Sequence, residues 1–237
     1  MAKAVVAYDK DLPEVPGRLP WEAPTQHLVK DDGAATGWRV EDGRRETRLL
    51  LVPKIRQAVN LWRKEGYPGA SDVTKRLFEY WFDEDHDVAG FPAPFRYYYC
   101  QREAIETLVW LVEVAGKKDA QALIKAFSTI FKKDLFSDNI VFQTTMDGRR
   151  QIRRYVPELD AEGVQDLPPE DLRRCAFKMA TGSGKTWVMA MAVVWSFFHK
   201  KRVPGSDLST NFLIVAPNVI VFQRLERDFA SNNIFRS

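Results

Sequence analysis

Apolar residues recur at helical spacing through much of this chain. In RRETRLLLVPKIRQAVNLWRKEGYPG, Ile55, Val59 and Trp62 share a face, and Gly66 and Pro68 end the helix. In SDVTKRLFEYWFDED, Leu77, Phe78, Trp81 and Phe82 form the apolar face, with Ser71 or Asp72 as a natural N-cap. CQREAIETLVWLVEVAGKKD predicts an amphipathic helix that ends at Gly116, and a further helix is expected over 119–131. The period changes in NIVFQTTMDGRRQIRRYVPEL, which alternates about Asp147-Gly148 and predicts a β-hairpin. The acidic, proline-containing DAEGVQDLPPED reads as a loop. Residues 1–35, rich in Pro, Gly and Asp, read as an irregular arm, followed by one short strand near 37–41. DVAGFPAPF is a Pro/Gly hinge that suggests a domain boundary near residue 90.

The C-terminal third follows another plan. A short apolar run at 175–179 precedes a glycine-containing turn, then a helix over 185–199 that is apolar nearly all round. The apolar run FLIVAP (212–217) and a helix over 219–229, capped by Asn218, complete the pattern. Strand, helix, strand, helix in this order builds a parallel sheet with right-handed crossovers. Short, almost wholly apolar strands suit a sheet covered on both faces. The expected fold class is therefore α/β, preceded by a mainly helical N-terminal region.

The turn itself carries chemistry. Thr181, Gly182, Ser183 and Gly184 lead into Lys185 and Thr186. A phosphate cradle needs inward-pointing backbone N–H groups and no side chains in the way, which glycines permit. The helix start adds unpaired N–H groups and a positive dipole end. A lysine here reaches the β- and γ-phosphates of ATP, and a threonine hydroxyl binds Mg²⁺. Lys185 and Thr186 are thus the candidate catalytic pair, and Thr186 the candidate metal ligand. The strict pattern places a glycine at position 179, where this chain has Met179.

ATGSGKT, residues 180–186, resembles motif I of the superfamily-two helicases and translocases, which lack that first glycine. FLIVAPNVIVFQRL resembles motif Ia, which implies that Pro217 and Asn218 contact a nucleic-acid backbone. FRYYYCQREAIETL resembles the upstream Gln motif, which implies that Gln101 reads adenine and that Phe95 or one of Tyr97–Tyr99 stacks on the base. Together with the helical segments before them, these motifs resemble the N-terminal part of the type III restriction enzyme Res-subunit group. The resemblance implies a truncated RecA-like P-loop sheet flanked by helices, with 1–90 a family-specific region and 91–237 the first part of the ATPase lobe. It implies ATP and Mg²⁺ as cofactors, duplex DNA as a partner, and a methyltransferase as a possible second partner. The 83 positions from Gln101 to Gly184 exceed the usual spacing in compact relatives, so roughly 117–170 reads as an insertion. It holds Arg149, Arg150, Arg153 and Arg154, which suit either phosphate contacts or a solvated hairpin. A catalytically silent ATP- or DNA-binding module, or another superfamily-two helicase acting on RNA or in repair, are the alternatives.

Charge adds a gradient to this picture. The 237 residues carry a formal charge of +3, but from Arg173 onward ten Lys/Arg face three Asp/Glu, an excess of +7 that leaves −4 on residues 1–172. The basic end holds the loop, as suits a polyanionic partner. Asp83-Glu84-Asp85-His86 imitates the helicase carboxylate motif, but it precedes the loop at a helix end and reads as a solvated acidic turn. His27, His86 and His199 are scattered and make no metal cluster. Cys100 and Cys175, in no CxxC pair, are expected to be buried thiols. With no signal peptide and no apolar run long enough for a bilayer, a cytoplasmic location is expected.

Overall fold

The computed structural model describes residues 19–45, 51–86, 94–116, 141–156, 161–166, 175–230 and 234. The chain divides into two compact units, Met1–Glu46 and Thr47–Ser237. In the first, strands β1 (Gln26–Lys30) and β2 (Trp38–Asp42) pair antiparallel, with Leu28 opposite Val40 and Lys30 opposite Trp38. β2 is the strand expected near 37–41. β1 corrects the irregular arm: HLV is long enough to pair once β2 offers an edge.

The second unit begins with helices α1 (Val52–Lys64) and α2 (Asp72–Phe82). Pro53 sits in the first turn of α1, where its missing N–H costs nothing. Ser71 caps α2, its Oγ accepting the Thr74 N–H at 3.2 Å. Between them the chain reverses through Gly66, Tyr67, Pro68 and Gly69. Tyr67 has φ +59°, and among the described residues it is the single non-glycine in that region. Its conformation is held by its ring, 4.9 Å from both Trp62 and Phe78, and by its hydroxyl, which donates to Glu106 at 2.7 Å.

Helix α3 (Tyr99–Val109) runs on into a π-helical turn, Trp110–Val114, closed by the Ala115 N–H donating to the Trp110 carbonyl at 2.8 Å. The helix stops at Gly116, φ +68°, as its sequence predicts. α4 (Lys185–Arg202) and α5 (Val219–Ala230) match the two C-terminal helices expected. Val59 and Trp62 of α1, Phe78 and Trp81 of α2, Ile105 and Val109 of α3, and Val188, Met191 and Trp195 of α4 close into one core. The residues on the two sides of position 90, where a domain boundary is expected, therefore share that core; 87–93 themselves lie outside the described residues, as does the helix expected over 119–131. α4 buries one face rather than its whole circumference: Phe197 and Phe198 are exposed.

Two buried carboxylates tie these helices together. Glu106 is fully buried. It accepts from Arg63, from Arg102 at 2.9 Å and from Tyr67. Burial alone would lower the Arg63 pKa; the bonds and charge of Glu106 overcome this and hold it above its ordinary value. Glu113 accepts from Ser71 Oγ and Thr74 Oγ1, both at 2.8 Å, and lies 2.7 Å from His199 Nε2. Thr74 in turn accepts the Trp195 indole N–H at 2.9 Å.

β3 (Val141–Thr144) and β4 (Arg150–Val156) form the expected hairpin, and β5 (Ala161–Asp166) extends it to a three-stranded antiparallel sheet. The loop reading of DAEGVQDLPPED is corrected over 161–166, because an edge of β4 outweighs acidic composition. Arg149 bonds Asp147 at 2.6 Å and faces Asp166 at 3.4 Å, while Arg153 pairs with Glu162. These two arginines are neutralised within the sheet.

The segments 175–179 and 212–216, expected as parallel strands, take part in no strand ladder. Leu213 and Val215 are 89% and 79% exposed, against 41% and 36% for Phe212 and Ile214. That alternation of apolar residues is a strand's, without neighbours to pair it. Both cysteines are exposed, which corrects the expectation of buried thiols.

Candidate nucleotide site

The turn after 175–179 owes its shape to two glycines. Gly182 has φ +80° and Gly184 φ +74°, where a side chain is strained. Gly184 is the N-cap of α4, so the helix starts at Lys185. An α-helix leaves its first N–H groups without internal acceptors, and here no acidic side chain occupies the first turn. The basic residues His199, Lys200, Lys201 and Arg202 gather instead at the far end, where they complement the negative end of the dipole. The positive end is left facing the turn.

Within the turn, the Ser183 hydroxyl donates to the Ala180 carbonyl at 2.7 Å. Lys185 Nζ donates to the carbonyls of Ala180 at 2.8 Å and Met179 at 3.1 Å. The exposed ammonium thus folds over the turn. Met179 packs its side chain against the core of the second unit. A residue other than glycine at this position is used for anchoring, so the departure from the strict loop pattern has a structural role. Thr181 and Gly182 are exposed, and a Cβ built on Gly182 would meet nothing within 4 Å.

Gln101 is brought to the turn from 82 residues away. It is 4% exposed, and its Nε2 donates to the Ser183 carbonyl at 3.0 Å. Its Oε1 accepts the Tyr98 N–H at 2.8 Å, which closes the start of α3. One amide therefore caps a helix and holds the turn. A Cβ on Gly184 would stand 2.1 Å from Gln101 Nε2 and 3.2 Å from Trp187 Cδ1. The anchoring role of Met179 and the presence of Trp187 beside the turn escape a reading of the motif alone; for Trp187, its place directly after Thr186 was the available signal.

Of the aromatic residues expected near a base, Tyr99 is buried and bonds Asn60 at 3.0 Å. Tyr97 is enclosed by Phe82, Phe95 and Trp187, and burial pushes its phenol up to about 12. Phe95 and Tyr98 remain partly or largely exposed. Asn218 caps α5 as expected, its Oδ1 accepting the Val221 N–H at 3.0 Å. No described hydrogen bond joins Pro217 or Asn218 to the turn.

The acidic turn 83–86 is a surface feature. Glu84 pairs with Arg76 at 2.7 Å, Asp85 with Arg96 at 3.6 Å, and Asp83 with Arg102 at 3.7 Å. Among the described residues no group of His, Cys, Asp and Glu could hold a metal ion by itself, and no helix is long and apolar enough to cross a membrane. The turn fits a phosphate chain in its chemistry: two glycines without side chains, a helix start free of acidic residues, and an ammonium within reach.

No curated protein and no solved structure matches the chain. The family model of the type III restriction enzyme, res subunit, matches residues 95–236, a span that runs from Phe95 past Gln101, the glycine turn, Asn218 and α5. That is more than half of the sequence, and the chain belongs to this family, which implies a RecA-like helicase fold and a helicase-type ATP-binding module.

Proposed function

We propose that this chain is the nucleotide-binding front part of an ATP-driven DNA translocase subunit of a restriction-type endonuclease. One observation supports the reading: Gln101, Gly184 and the start of α4 meet at a single glycine turn. Family membership supplies the class of activity.

In this reading Thr181, Gly182, Ser183 and Gly184 present backbone amides to the phosphates of ATP. Lys185 leaves the carbonyls of Met179 and Ala180 and neutralises the β- and γ-oxygens. Thr186 offers its hydroxyl to Mg²⁺. Gln101 keeps the turn in register through Ser183 and turns its remaining N–H and lone pair to the adenine edge. ATP supplies the free energy of phosphoryl transfer, which opening and closing of a two-lobed cleft converts to movement along duplex DNA. In this reading 91–237 is the first part of the ATPase lobe and 1–90 a family-specific region, and the segments 175–179 and 212–216, unpaired here, supply strands to a parallel sheet of the assembled lobe. The N-terminus of α5, with Pro217 and Asn218, contacts a DNA phosphate. A methyltransferase subunit is the expected partner for site recognition, in the cytoplasm.

The test is binding of Mg-ATP and of duplex DNA to the purified chain and to Lys185→Ala. Loss of ATP binding with duplex binding retained is expected. Equal ATP affinity in both proteins would remove the nucleotide site from this turn.

A further inference from the structure

We propose that Trp187 is a positioning residue for the nucleotide base, holding Phe95 as the stacking face beside Gln101. The inference rests on the nucleotide reading above and assigns a role to a residue which that reading leaves idle. Trp187 follows Thr186 in the first turn of α4. Val188, Ala190, Met191 and Trp195 are buried, but Trp187 is only partly so. Its ring lies 5.4 Å from that of Phe95, inclined by 38°, and 5.8 Å from Tyr97, nearly edge-on at 81°. Tyr97 meets Phe95 edge-on from another side, at 4.9 Å. The Phe95 N–H donates to the His86 carbonyl at 2.7 Å, which fixes the backbone behind the ring. Phe95 is thus held by two rings and one backbone bond, and it stays partly exposed.

The same indole reaches the turn, since a Cβ built on Gly184 would meet both Gln101 Nε2 at 2.1 Å and Trp187 Cδ1 at 3.2 Å. Phosphate loop, amide and aromatic pair are therefore contiguous. A nucleobase offers a π-face and an edge of donors and acceptors; the ring of Phe95 matches the first and the amide of Gln101 the second. Because Trp187 belongs to the helix that begins at Lys185, it sets the distance between the stacking face and the phosphate cradle.

The experiment compares affinities of the full chain for Mg-ATP and for inorganic tripolyphosphate, which has no base. In Trp187→Leu, ATP affinity falls about fivefold to tenfold while tripolyphosphate affinity stays within about twofold. Trp187→Phe, which keeps an aromatic ring, restores ATP affinity to within about threefold of the parent. Equal losses for the two ligands in Trp187→Leu, or an unchanged ATP affinity, would overturn the assignment. A parent chain that binds neither ligand would instead remove the nucleotide reading and this inference with it.

Discussion

A Cβ on Gly184 would lie 2.1 Å from Gln101 Nε2, so the side chain that starts α3 and the residue that starts α4 exclude one another's growth. The chain keeps glycine here for two separate reasons, the left-handed φ of +74° and the amide that fills the space. Gly184→Ala is expected to destabilise the protein by about 1–3 kcal/mol and to abolish ATP binding. Adding Gln101→Ala relieves the overlap but not the backbone strain. The double variant should recover part of the stability and none of the turn's order, as denaturant melts and nucleotide titration would reveal.

Glu106 sits fully buried between Arg63 and Arg102, so removing it strands two guanidinium groups. Glu106→Ala should cost about 3–5 kcal/mol in urea unfolding. Replacing Arg63, Arg102 and Glu106 together by apolar residues of similar size should cost much less, because the penalty arises from the uncompensated charge. A triple variant as unstable as Glu106→Ala would contradict that account.

Tyr97 titrates at about 12, raised from 10.0 by burial. A folded-state pKa above the unfolded one gives stability that is complete below pH 10 and is lost as pH climbs toward 12. Between those values the unfolded chain has released the proton and the folded one has not. The contribution falls by about 1.4 kcal/mol per pH unit. Guanidinium melts between pH 9 and 12 should show a shallower decline in Tyr97→Phe than in the parent; parallel curves would count against the assignment.

Asn218 caps α5 through its bond to the Val221 N–H. Asn218→Ala should lower stability by about 1 kcal/mol, and Asn218→Asp should keep the cap while placing a negative charge where the DNA phosphate is proposed. Weaker duplex binding in Asn218→Asp than in Asn218→Ala, measured at fixed salt, is the expected order. The reverse order would move the DNA contact elsewhere.

By itself the sequence determined most helices and the glycine turn before α4, because both are local. The spacing of Val59 and Trp62, the Ser71 cap, the stop at Gly116 and the pair Gly182 and Gly184 each follow from residues within a few positions of one another. The family was equally legible, since its motifs lie along the chain in order. Long-range pairing was not. β1 and β5 have weak patterns and exist because β2 and β4 present edges to them. The strongly apolar 212–216 stays outside any ladder, because apolarity records a need for neighbours without supplying them. Only the tertiary structure showed that Gln101 braces the turn through Ser183, that Met179 anchors it in the core, and that Trp187 backs Phe95. Those contacts join residues up to 92 positions apart, a separation at which no local rule of spacing operates.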